Sequence, residues 1–167
     1  ERMTELRKGS LASAKSSNAR TRCEGTALSP DAARPLVSVI VASRDGGPPI
    51  ASSIRSVLRQ TVADLELIVV CYGPSGAGAE AARAAVAGDG RASVIDGGGI
   101  NRSAALNRAL VGAHGRWVAI VDGDDHLHPE RFEKLVGWAE RDGADIAADD
   151  QIGYYDDQAR PPRALLT

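Results

Sequence analysis

Three carboxylates crowd into four residues at Asp122-Gly123-Asp124-Asp125, directly after the apolar run Trp117-Val118-Ala119-Ile120-Val121. Carboxylates held this close repel one another, and at neutral pH a hard divalent cation with oxygen ligands would relieve the repulsion. The Asp-x-Asp spacing suits Mg2+ or Mn2+ gripping a substrate's phosphates, because magnesium binds through one or two carboxylates plus phosphate and water oxygens. A solvated acidic turn capping the next helix is the other reading, and the spacing alone leaves both open. A calcium loop of the EF-hand kind is disfavoured. His126 and Leu127 occupy its fifth and sixth places, and a strand rather than a helix precedes it. A phosphoacceptor aspartate would need a lysine partner, and Lys134 is the only lysine beyond the N-terminal stretch.

Other residues with chemical potential read more plainly. Gly97-Gly98-Gly99 ahead of a helix could let backbone approach a phosphate, but it lacks dinucleotide or P-loop spacing and reads as a surface turn. His126 and His128 flank a helix start without further metal-ligand partners. Cys71 closes an apolar run and reads as a small buried hydrophobe rather than a nucleophile.

An acidic turn works as a site only if rigid elements hold it, and the chain supplies them. The apolar run before it reads as a strand buried on both faces, in the middle of a parallel sheet. Further strands are expected at Leu36–Ala42, Leu65–Cys71, Ala92–Asp96 and Ala144–Ala148, with a short one from Gln151 through Tyr155. Helical periodicity marks Ile50–Gln60, Ala79–Ala87 and Asn101–Gly112, and a helix beginning at Pro129 and ending at Gly143. Strands alternating with helices predict an α/β domain with a mostly parallel central sheet flanked by helices. Ligands of such sheets bind outside the carboxyl ends of the strands, where the strand order reverses. The segments Ser43-Arg44-Asp45, Cys71-Tyr72-Gly73 and Asp122–Asp125 all follow strand ends. If the first and fourth strands are neighbours, Asp45 and Asp124 line one crevice.

With 167 residues, 43% hydrophobic and 25% charged, the chain suits one domain with a real core. Residues 1–34 are poor in large apolar side chains and read as a flexible or weakly helical extension, leaving 35–167 as the folded domain. The net charge of −2 offers no basic excess for a nucleic-acid partner. No apolar stretch approaches the roughly 20 residues that cross a bilayer, and no secretory signal is legible. Two cysteines in unrelated settings point to a reduced, cytoplasmic protein.

The order of segments carries more than any one of them. Val37-Ser38-Val39-Ile40-Val41, Ser56-Val57-Leu58-Arg59-Gln60-Thr61, Glu66-Leu67-Ile68-Val69-Val70, Ser103-Ala104-Ala105-Leu106-Asn107 and Asp122-Gly123-Asp124-Asp125 follow one another in a pattern that resembles the inverting family 2 glycosyltransferases. The resemblance implies a Rossmann-like GT-A nucleotide-diphospho-sugar transferase fold. It implies a nucleotide-sugar donor, a UDP-sugar first among them, with Mn2+ or Mg2+ as cofactor. The sugar would pass with inversion to a hydroxyl of a saccharide or lipid-linked acceptor in polysaccharide or glycoconjugate synthesis, at the cytoplasmic side of the membrane or peripheral to it.

Carried over by residue, the resemblance makes Asp124 the main metal ligand. Asp122 would contact the ribose or a metal-bound water, and Asp125 would complete the acidic set. Ser43 and Asp45 would sit near the nucleoside, and Asn107 would shape the same pocket. Two departures stand out. Cys71-Tyr72-Gly73-Pro74 replaces the family's Asp-Asp-Gly-Ser, so Tyr72 would stack on the base in place of an aspartate that reads it. Leu106 stands where an arginine is common. The general base is expected beyond Thr167 and is not assigned to Asp149 or Asp150, which makes these residues the donor-binding half of a larger transferase. The rival readings are a non-catalytic nucleotide or metal-binding module and a nucleotidyltransferase-like enzyme. The second would want a more basic loop than Arg44-Asp45-Gly46-Gly47.

Overall fold

The computed structural model describes residues 34–44, 46–153 and 163–165, within the unit Ala33–Thr167. The extension read over 1–34, save Arg34, lies outside the described residues, as do Asp45 and Tyr155. Strands and helices alternate: β1 (Val37–Ser43), α1 (Pro48–Leu58), β2 (Leu65–Cys71), α2 (Ala77–Val86), β3 (Ala92–Asp96), α3 (Arg102–Val111), β4 (Trp117–Asp122) and α4 (Arg131–Asp142). Two short strands, β5 (Gln151–Gly153) and β6 (Arg163–Leu165), form a separate antiparallel pair.

The main sheet is parallel with order β3-β2-β1-β4. The chain steps outward from β1 to β3 and then returns to the other side of β1. The strand order therefore reverses between β1 and β4, and in parallel sheets that gap is where a ligand crevice opens.

Alternation along the two inner strands builds both cores. Val39, Val41, Leu67 and Val69 face Ile50, Ile54 and Val57 of α1, with Ala79 and Ala82 of α2 and Phe132 of α4. Ile40, Ala42, Ile68 and Val70 face Ala105 and Ala109 of α3. Fully burying each Val, Ile or Leu contributes about 1.5–3 kcal/mol relative to exposure, so these two layers carry most of the apolar gain. The Gly143 stop forms as expected: its φ of 63° is the left-handed helix end, and Ala144 N–H donates to Ala139 O at 2.8 Å.

The structure corrects three expectations. First, β4 is the edge strand of the sheet among the described residues and is not buried on both faces. Val118 and Ile120 are 46% and 49% exposed, while Val121 on the opposite face is buried. An apolar run reads the same whether or not its second face is covered. Second, Ala144–Ala148 forms no strand. Only Ile146 in it is large and apolar, and it is 84% exposed; alanine-rich extended chain has little to pack on a sheet. The segment instead runs beside β4, closing a groove of about 240 Å³ with Trp117, Ile120 and Leu135. Third, Pro129 precedes the helix rather than starting it: α4 begins at Arg131. Among the described residues, no helix is long and apolar enough to cross a membrane.

At the amino ends of the strands one carboxylate ties β1, β2 and the α3–β4 turn together. Glu66 Oε1 accepts from Ser38 Oγ (2.5 Å), His114 N–H (2.6 Å) and Gly115 N–H (3.2 Å). Gly115 is required here, since a Cβ would lie 2.4 Å from Ser38 N. Burial pushes the Glu66 carboxyl up, but the bonds from Ser38 and His114 outweigh it and hold the group below its ordinary value. A carboxyl depressed in the fold stabilises it fully above its unfolded pKa and loses that contribution as pH falls through the folded one. Glu66→Gln is therefore expected to cost roughly 1–2 kcal/mol at pH 7. It should also flatten the acid limb of stability against pH below the ordinary carboxylate range, as read by urea unfolding from pH 7 to pH 3.

Candidate functional site

The carboxyl ends of β1, β2 and β4 meet around Ser43. Its carbonyl accepts from Tyr72 N–H at 2.9 Å, and its hydroxyl accepts from Gly46 N–H at 3.3 Å. Gly123 N–H continues the β1–β4 ladder to Ala42 O at 2.9 Å. A Cβ at Gly123 would stand 2.6 Å from Ser43 Cβ, so only glycine lets the acidic turn press this closely on β1. Asp125 N–H then donates to Asp122 O at 3.0 Å and closes the turn.

The far side of the turn is clamped by α1 and the residues after it. Ser53 Oγ donates to Asp122 O (3.2 Å), and Ser56 Oγ accepts from Leu127 N–H (3.1 Å). Gln60, 6% exposed, donates from Nε2 to His128 O (2.7 Å) and accepts Phe132 N–H at Oε1 (3.1 Å). Thr61 adds a backbone bond to Pro129 O and a hydroxyl bond to Glu133. Buried amides with both ends bonded fix backbone position, because leaving either end unpaired costs about 1–3 kcal/mol. The segment Ser56–Thr61 thus holds the acidic loop in place, a role its sequence did not disclose.

Asp122 and Asp124 are exposed and Asp125 is half-buried. Burial raises the Asp125 carboxyl above its ordinary value, and the charges of Asp122 and Asp124 raise it further, against an opposing bond at Asp122 and the charge of Arg131. The crowding inferred from spacing is therefore present. Among the described residues, however, no group of three or more His, Cys, Asp or Glu side chains is arranged to hold a metal ion. Asp122 is instead ion-paired with Arg102, the first residue of α3, at 2.6 Å between Nη2 and Oδ1. Sequence reading missed Arg102. Its signal was its place directly after Asn101, whose side chain caps α3 by accepting from Ala104 N–H at 2.9 Å; which carboxylate it would meet depended on the strand order.

The remaining expected site residues divide. Ser43, Tyr72, Asp122, Asp124 and Asp125 come together at the β1–β4 switch point. Tyr72 is half-buried, packs with the α3-side core and lies within electrostatic range of Arg102. Asn107 is exposed midway along α3, two residues from each of buried Ala105 and Ala109. Asp45 falls outside the described residues. Asp149 makes a bidentate pair with Arg131 at 2.8–3.1 Å, which holds its carboxyl below the ordinary range and makes it a poor proton acceptor. His126 shares a 3.3 Å hydrogen bond with Ser52. Cys71 is buried, and burial together with the nearby Asp96 charge pushes its thiol up to about 11. At pH 8 only about one thiol in a thousand would be ionised. In a Cys23→Ser background, Cys71 should react with a disulfide reagent at least a hundredfold more slowly in the native protein than in urea; comparable rates would contradict the buried placement.

The family model described as "Glycosyl transferase family 2" matches residues 38–166. Among curated proteins, the chain is 36% identical over 121 residues to the uncharacterized glycosyltransferase EpsJ of Bacillus subtilis, covering 72% of this chain and 34% of that one. It is 32% identical over 119 residues to the succinoglycan biosynthesis protein ExoO of Rhizobium meliloti, covering 69% and 33%. The chain thus spans about a third of the length of these relatives. Among solved structures, the mannosyltransferase PcManGT from Pyrobaculum calidifontis, in complex with GDP-Man and Mn2+, superposes with a TM-score of 0.58 at 26% identity, covering 64% of this chain and 32% of that one. TarS 1–349 of S. aureus, with a TM-score of 0.54 at 20% identity over 63% of this chain and 32% of that one, shows the same fold. The architecture is that of the GT-A glycosyltransferases.

Proposed function

The chain belongs to glycosyl transferase family 2, and from that membership we propose that it binds a nucleotide-diphosphate sugar at the carboxyl ends of β1, β2 and β4, for transfer with inversion to an acceptor hydroxyl. The observation that carries this reading is the convergence of Ser43, Tyr72 and the Asp122–Asp125 turn at the reversal of strand order. Tyr72, half-buried beside the turn, offers a ring for the base, and Ser43 lies at the floor between them. The mannosyltransferase neighbour was solved with GDP-Man and Mn2+, which supports a nucleotide-sugar donor and a divalent cation here. A UDP-sugar is the first donor to test, with saccharide or lipid-linked acceptors.

The acidic turn fits Mn2+ or Mg2+ in its chemistry: exposed carboxylates on a clamped turn, and a neighbouring carboxyl already raised by burial and by their charge. Asp124 would be the principal ligand, with Asp122 and Asp125 completing the set. When bound, the cation would stabilise the negative charge that develops on the diphosphate leaving group. The chain's own part is to hold the donor and keep these carboxylates in place. An acceptor hydroxyl also needs a positioned base, and Asp149, engaged by Arg131, is not proposed for it.

Calorimetry with UDP, GDP and dTDP and their sugars, with and without Mn2+, tests the reading. Binding of at least one is expected to depend on the metal. Asp124→Ala should weaken that binding tenfold or more, equivalent to about 1.4 kcal/mol. Tyr72→Ala should weaken nucleotide binding without changing the metal dependence. Absence of metal-dependent binding to every nucleotide would overturn the donor site.

A further inference from the structure

Period-two alternation puts Asp122 on the same face of β4 as Val118 and Ile120, the side on which α3 covers β1 and β2. The first residue of α3 reaches it there: Arg102 Nη2 stands 2.6 Å from Asp122 Oδ1, so the guanidinium occupies an oxygen that a cation at this turn would use. The pair is wet, with side chains 47% and 52% exposed, and such pairs contribute only about 0–1 kcal/mol. A contact this weak gives way readily to a stronger partner. Arginine is also suited to exchange, because its planar fork matches a carboxylate or a phosphate equally well. Tyr72, at the end of β2 and bonded to Ser43 of the intervening β1, lies within electrostatic range of Arg102.

Resting on the donor site proposed above, we propose that Arg102 is the counter-ion of Asp122 in the donor-free protein and changes partner on binding, releasing Asp122 to the cation and turning its guanidinium to the donor diphosphate. Arg102 is then both a competitor of the bare metal and a ligand of the metal–nucleotide complex. A purely structural ion pair, fixing α3 to β4, has neither property. The two roles predict effects of opposite sign when the side chain is removed.

The test is Mn2+ binding followed by electron paramagnetic resonance, and UDP binding followed by calorimetry in saturating Mn2+, for the wild type, Arg102→Ala and Arg102→Lys. Arg102→Ala is expected to bind Mn2+ alone three- to tenfold more tightly, and to bind UDP with Mn2+ at least tenfold more weakly. Arg102→Lys, which keeps the charge but not the fork, should fall between wild type and Arg102→Ala in both measurements and also serves if the alanine variant folds poorly. Affinity for Mn2+ alone that is unchanged, weakened or undetectable in both proteins overturns the exchange, as does a shift of both affinities in the same direction. If the wild type binds UDP only with Mn2+ and the variants behave as it does, the exchange alone fails. If the wild type binds no nucleotide with Mn2+, the donor site fails with it.

Discussion

The in-register parallel pairing of β4 against β1 is the constraint on which the site depends. It aligns Ala42 with Asp122, so that the two strands end together and their loops share one crevice. A shift of one residue would turn Asp122 to the α1 side and Val121 outward, because side chains alternate faces. Glycine secures this register at both ends: Gly115 lies against Ser38 at the amino end and Gly123 lies against Ser43 at the carboxyl end. Each sits where a Cβ would collide with β1. The acidic turn is consequently defined by how closely its backbone can approach its neighbour as much as by its charges.

Around that pairing the chain spends buried polar groups on one task. Ser53, Ser56 and Gln60 project from α1 and the turn beyond it into the loop between Asp122 and Phe132. Their bonds are to backbone, so they locate the loop without consuming its carboxylates. Those carboxylates remain accessible, and the local repulsion they generate falls on Asp125, the least exposed of the three. Because of this separation the supporting bonds need not break when charge arrives at the turn.

Much of this was legible in the residues. The six apolar residues among the seven of β2 and the short apolar stretch of β3 marked their strands to the residue, since Asp64, Tyr72, Arg91 and Gly97 bound them with polar or turn-forming side chains. That the fourth strand would lie beside β1 was only a condition of the sequence reading, and the structure meets it. What could not be read was lateral order and coverage. The exposure of Val118 and Ile120, the failure of Ala144–Ala148 to pair and the outward placement of Asn107 all depend on which element lies beside which. The meeting of Arg102 with Asp122, twenty residues apart, has the same origin: helix start and strand end coincide only after α3 has crossed the sheet. Gln60 was visible within a motif, yet its two bonds join segments that sequence proximity does not connect.

The loop clamp has a consequence for how the protein comes to exist. The bonds from Ser52 and Gln60 to the acidic loop span 74 and 68 residues. Contacts of such separation cost more loop-closure entropy than the contacts within each helix. The crevice therefore exists only once β4 has joined β1, because its partners lie on separate elements. Any ligand that binds only the finished crevice would draw the folding equilibrium toward the completed sheet.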